Sequence, residues 1–165
     1  MKKILITIFL MFVCANFSSA QVNKWTSITY SFNSGPVSPE YQKTYTITIN
    51  SDRTSQISYH KGLDKRAPTK EDFNITKANL KKLNKAINKT GILDGVKPDN
   101  TSDGMIGGTV KSITITYVNK DPNLDQPPTV LTFNKWSNSP DNINNLFNMM
   151  DKMVPNKVWK AVGEK

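Results

Sequence analysis

Apolar and polar residues alternate at period two along several stretches of this chain, and recur at helical spacing along two others. Ser112 to Val118 reads SITITYV, a strand with one face toward a core and one toward water. Thr129 to Trp136 is a second β-rich run. From Pro140 to Val154, the residues Ile143, Leu146, Phe147, Met150, Met153 and Val154 form one apolar stripe along one helix. Ser112 to Val154 therefore reads as strand, connection, strand, helix, and the upstream chain supplies more strand and a second helix to cover it.

Three upstream runs extend the sheet. In Trp25 to Asn33, Ile28, Tyr30 and Phe32 point one way, Thr29 and Ser31 the other. After a turn cluster at 33–39, where Gly35 and two prolines break the ladder, Tyr41 to Asn50 carries Tyr45, Ile47 and Ile49 on one face. Gln56 to His60 is a short third strand with Ile57 and Tyr59, which completes an antiparallel meander with one wet face. Gly62 to Asp72 is polar, contains Pro68 and reads as a loop. Phe73 to Ile75 is either a short edge segment or the entry to a helix.

That helix starts at Thr76 as N-cap, runs to about Lys89 with Leu80, Leu83 and Ile87 on one face, and stops at Gly91. Leu93 to Thr109 follows, a long glycine-bearing loop and the first candidate for a contact surface. The connection at 119–128 is too long for a tight hairpin. Ser139 is expected to cap the last helix, with Pro140 at its first position and Pro155 ending it; Trp159 in the tail closes the edge of the core. The pattern predicts an α+β fold, an antiparallel sheet of about five strands with two helices packed on one face.

The first twenty residues read differently. Met1-Lys2-Lys3, an apolar run from Ile4 to Val13 broken only by Thr7, and Ser18-Ser19-Ala20 have the layout of a secretory signal peptide. The run is shorter than the ~20 residues of a permanent membrane helix. Cleavage after Ala20 divides the chain into a 1–20 leader and a 21–165 single domain, secreted or periplasmic, with no transmembrane segment left. Cys14 offers a competing reading, the lipid-attachment cysteine of a bacterial lipoprotein, but Val13 stands where such signals carry a small residue. Cys14 is the single cysteine. With it gone, disulfides, thiol catalysis and thiolate metal sites are excluded.

A net charge of +9 favours anionic surroundings, acidic glycans, lipid headgroups or an acidic protein face. Lysine supplies nearly all of it, with arginine only at Arg53 and Arg66, which argues against nucleic-acid recognition. The first helix carries Lys77, Lys81, Lys82, Lys85 and Lys89 on its outer side. Lys77, Lys81 and Lys85 form the candidate basic face, although a solvated helix back has the same pattern.

No reactive centre emerges. Asp99 to Gly104 opens like a calcium loop, but Val110 stands where the bidentate glutamate belongs. Gly104 to Thr109 lacks the lysine and helix start of a phosphate loop and reads as a flexible turn. His60, the only histidine, has neither the partners of a zinc site nor a nucleophile elbow, and no carboxylate pair is placed by spacing as acid and base. No cofactor or metal is expected. The candidate binding residues lie in loops, at Gly35, Asp103, Gly104, Gly107 and Gly108.

The order of parts is similar to that of emfourin-type domains, small bacterial inhibitors of thermolysin-like metalloproteases. The corresponding stretches are the Gly35 turn between two strands, the helix around Leu80-Lys-Lys-Leu83, the strands at 112–118 and 130–136, and the closing helix at 143–154. The third strand and the 119–128 connection depart from that layout. The resemblance implies inhibition, with the 95–109 or 33–40 loop entering a protease cleft. The reading is a non-enzymatic binding module acting through loops on an unknown protein or anionic macromolecule. The alternatives are an envelope-associated structural module held by its basic face, and a small hydrolase using His60 and carboxylates.

Overall fold

The structure, a computed structural model, describes residues 24–62, 67–96, 108–118, 127–135 and 139–163. The leader, Asp103, Gly104, Gly107 and most of the 95–109 and 119–128 segments lie outside the described residues. Six strands form one antiparallel sheet: β1 (Lys24–Asn33), β2 (Lys43–Asn50), β3 (Thr54–Lys61), β4 (Thr69–Asn74), β5 (Val110–Val118) and β6 (Thr129–Asn134), in the spatial order β4-β3-β2-β1-β5-β6.

Register follows the period-two pattern. Ile28 faces Ile49 and Ile115 across its two neighbours, and Tyr30 faces Ile47 and Ile113. A one-residue slip would send all of these to water, so the apolar alternation itself pins the pairing. Ile28, Ile47, Ile49, Ile57, Ile113 and Ile115 are fully buried. A bulge between Trp25 and Ser27 lets Trp25 turn to the same side, where its indole N–H donates to Asn84 Oδ1 over 2.7 Å.

Three helices cover that side. α1 (Lys77–Thr90) begins where Thr76 Oγ1 accepts from the Asn79 amide at 3.1 Å, and ends at Gly91, whose φ of 70° is the left-handed stop foreseen for it. α2 (Asp141–Met153) buries Ile143, Leu146, Phe147, Met150 and Met153. α3 (Asn156–Ala161) buries Val158 and Trp159, the latter edge-on to Tyr45 at 5.1 Å. The aromatic centre is completed by Phe147, edge-on to Tyr30 at 6.1 Å and to Phe133 at 5.8 Å.

Three expectations need correction. Thr69–Asn74 is a sixth strand rather than part of a loop; its TKEDFN sequence hides only Phe73, as suits an edge strand wet on nearly every side chain. The tail is a third helix. At the start of α2 the cap is Pro140, not Ser139. Ser139 lies one residue outside the cap position, and the proline's extended backbone, φ −56° and ψ 153°, makes the entry.

Candidate functional site

A cleft with a distinct chemistry lies between α1 and α2, on their solvent side. Leu83 and Ile87 turn α1 inward, which leaves Asn79, Lys82, Lys85, Ala86 and Lys89 along one flank. The stripe of α2 does the same for Asn142, Asn145, Met149, Lys152 and Met153 on the other. The two sets enclose a groove of about 540 Å³. Its floor is Ala86, Met149 and Met153; its rim is four lysines and three asparagines, and no carboxylate lines it among the described residues. Lysine stems cover apolar surface while their ammonium groups stay wet, so floor and rim are continuous.

Two polar contacts hold the flanks. Asn142 Nδ2 donates to the Lys89 carbonyl at 3.0 Å, tying the start of α2 to the last turn of α1. On the inner side of α2, Asp151 accepts from Tyr45 Oη at 2.7 Å and from Tyr30 Oη at 3.4 Å. Together with the buried stripe of α2, this contact holds the helix with Met149 and Lys152 on the groove side. Burial, followed in each case by interaction with Asp151, pushes both phenols well above their ordinary value, so both stay protonated as donors.

Of the predicted basic face, Lys85 lines the groove, while Lys77 and Lys81 are exposed on α1 outside it. The second flank is absent from the sequence-based site. The adjacent pair Met149-Met150 held a signal for it: a helix cannot turn both to the core, and Met149 is the half-exposed one.

The described part of the predicted loop site is its Gly35 and Gly108 portion, and the structure brings these two together. A Cβ on Gly35 would sit 2.0 Å from the Gly108 carbonyl oxygen, and Gly35 has φ +79°. The 33–40 loop is pinned further by Ser34 N to Lys43 O at 3.0 Å and by Gly35 N to Asn33 Oδ1 at 2.8 Å. Beyond it Val37 and Tyr41 stand exposed. Nearby, Phe32 stacks on Tyr45 at 4.7 Å and carries Lys43 and Lys111 over its ring at 5.9 and 5.4 Å.

His60 lies on the opposite, helix-free face of the sheet, paired with Thr44. Among the described residues no carboxylate lines the cavity beside it. Among the described residues no three metal-ligating side chains cluster, and no helix is long and apolar enough to cross a membrane. No protein-family model matches the chain, and neither does any curated protein.

Proposed function

We propose that this chain is an exported, non-enzymatic binding module that seats an acidic, amphipathic segment of a partner protein between α1 and α2. The observation that carries this reading is the groove's composition: Lys82, Lys85, Lys89 and Lys152 around a methionine floor, with no acid among the described lining residues. Exposed lysines each contribute little, ~0–1 kcal/mol, and chiefly speed encounter and select the sign of the partner. Affinity comes from apolar side chains placed on Met149 and Met153, which adapt to irregular shapes. Leucines at helical spacing flanked by glutamates meet both demands. The test is fluorescence anisotropy of a labelled glutamate-rich peptide with leucines at that spacing. Saturable binding that weakens with salt and is lost in a Lys82→Glu, Lys85→Glu double variant is expected. Absence of binding at low salt overturns the reading.

A second reading draws on the loop end. The 33–40 loop projects Val37, with Tyr41 just past its end, from a backbone already fixed by the Gly35–Gly108 approach, and a segment pre-organised before binding loses less entropy on docking. That suits the inhibitor role implied by the emfourin-like layout. Residual activity of a thermolysin-like protease, measured against a molar excess of the purified protein, decides it: full activity removes the inhibitor reading.

A further inference from the structure

Strand register brings four lysines, far apart in sequence, to one end of the sheet. Lys61 at the end of β3 pairs with Lys43 at the start of β2. Beside them on the other flank of β1, the Lys135 amide donates to the Lys111 carbonyl at 2.9 Å, continuing the β5–β6 ladder. Each lysine stands two residues from a buried strand neighbour, Tyr59, Tyr45, Ile113 or Phe133, so all four lie on the helix-covered side. Phe32 of β1 stands between the two pairs, with Lys43 Nζ 5.9 Å and Lys111 Nζ 5.4 Å from its ring centre. Lys61 is exposed and the other three are half-buried. The 33–40 loop leaves the sheet at the same end, where Val37, Tyr41 and Val110 are 40 %, 71 % and 56 % exposed. Two described carboxylates come near: Glu40 beside Tyr41, and Asp151, which is engaged by Tyr45 and Tyr30.

We propose that this end of the sheet docks on an anionic phospholipid bilayer, with Val37, Tyr41 and Val110 entering the interface and the lysines answering the phosphates. Holding a protein on such a surface takes apolar side chains that leave water and cations that meet the negative surface potential, and both occur here together. Tyrosine suits the boundary, because its ring is apolar and its hydroxyl stays wet. The described residues at this end supply lysine and no arginine, which fits a diffuse field of headgroups better than one stereospecific anion. A soluble polyanion would draw on the lysines alone and leave Val37 and Tyr41 in water. The surface is separate from the groove between α1 and α2, and the proposal does not rest on that groove's occupant.

Sedimentation of the purified protein with vesicles of equal parts phosphatidylglycerol and phosphatidylcholine tests the proposal, with pure phosphatidylcholine vesicles and immobilised heparin as controls. Parent and variants carry the same N-terminus, so any contribution of residues 1–20 cancels in the comparison. Binding to the anionic vesicles that weakens with salt is expected, and none to the neutral ones. Lys61→Glu with Lys135→Glu should lower partitioning about tenfold or more. Tyr41→Ser, at an exposed position, should lower it severalfold without changing its salt dependence, which a purely ionic contact would not show. Melting curves verify that the variants fold. Lys82→Glu with Lys85→Glu should retain most of the vesicle binding, so that failure of this proposal is distinguishable from failure of the groove reading. Absence of vesicle binding, equal binding to neutral vesicles, binding to heparin alone, or full binding by the folded Lys61 and Lys135 variant overturns the proposal.

Discussion

Tyr45 on the second strand donates its phenolic hydrogen to Asp151 on α2 across 2.7 Å, although the two residues are 106 positions apart in sequence. The bond joins the sheet to the helix that forms half of the groove. Tyr45→Phe keeps the ring stack on Phe32 and the contact with Trp159 but removes the donor. Such a loss is expected to lower stability by about 1–3 kcal/mol, as for a hydrogen bond to a charged group. Tyr30→Phe, whose contact is longer at 3.4 Å, should cost less. Urea midpoints of the two variants measure both, and equal values would contradict this ordering.

Alkali tests the same contact. Tyr30 and Tyr45 have folded-state pKa values raised above the ordinary 10.0, first through burial. In the unfolded chain both release their protons near 10, while the folded chain still holds them. Their contribution is therefore complete below about pH 10 and is lost as pH rises toward the folded values. Stability should fall above pH 10. Ultraviolet titration of the native protein should show these two phenols ionising only on unfolding.

The glycine approach makes a local prediction. Gly35→Ala needs a left-handed φ and drives its Cβ into the Gly108 backbone, which cannot swing aside as a flexible side chain can. A loss of about 1–3 kcal/mol is expected, the range for strained backbone positions. Gly95→Ala shares the positive φ, 89°, but meets nothing within 4 Å, so only the conformational cost of about 1 kcal/mol applies. Melting temperatures of the two variants, compared side by side, check the difference.

How much of this was legible in the sequence follows from which residues face the core. Strands such as TYTITI and SITITY carry large apolar residues at every second position, so both their existence and their faces could be read directly. Thr76 and Gly91 were legible because caps have strong local chemistry. Thr69–Asn74 was not, because Phe73 is its one buried side chain and no apolar alternation marks it as a strand. The groove was half legible. Lysines on α1 were visible as a stripe, but the partner flank depends on how α2 lies across the sheet. Among the contacts that tie α2 to the sheet are those of Tyr30 and Tyr45 with Asp151, three residues whose spacing carries no local signal.

Charge in the groove has a direct consequence. Reversing Lys85 and Lys89 together should slow encounter with an acidic peptide and flatten its salt dependence, while Lys77→Glu with Lys81→Glu, outside the groove, should have a smaller effect. Met149→Ala should instead speed dissociation, because it removes floor area without changing charge. Stopped-flow association and dissociation rates separate the two. Identical kinetic changes from the lysine and methionine variants would contradict the division between rim and floor.

The most direct measurement is amide chemical-shift mapping of the isotopically labelled protein titrated with the leucine-bearing acidic peptide. The account predicts that the shifts cluster at residues 79–89 of α1 and 142–153 of α2, and that the Lys82→Glu, Lys85→Glu double variant abolishes them. Shifts confined to the 33–40 loop and the start of β5, or no shifts at all, would contradict it.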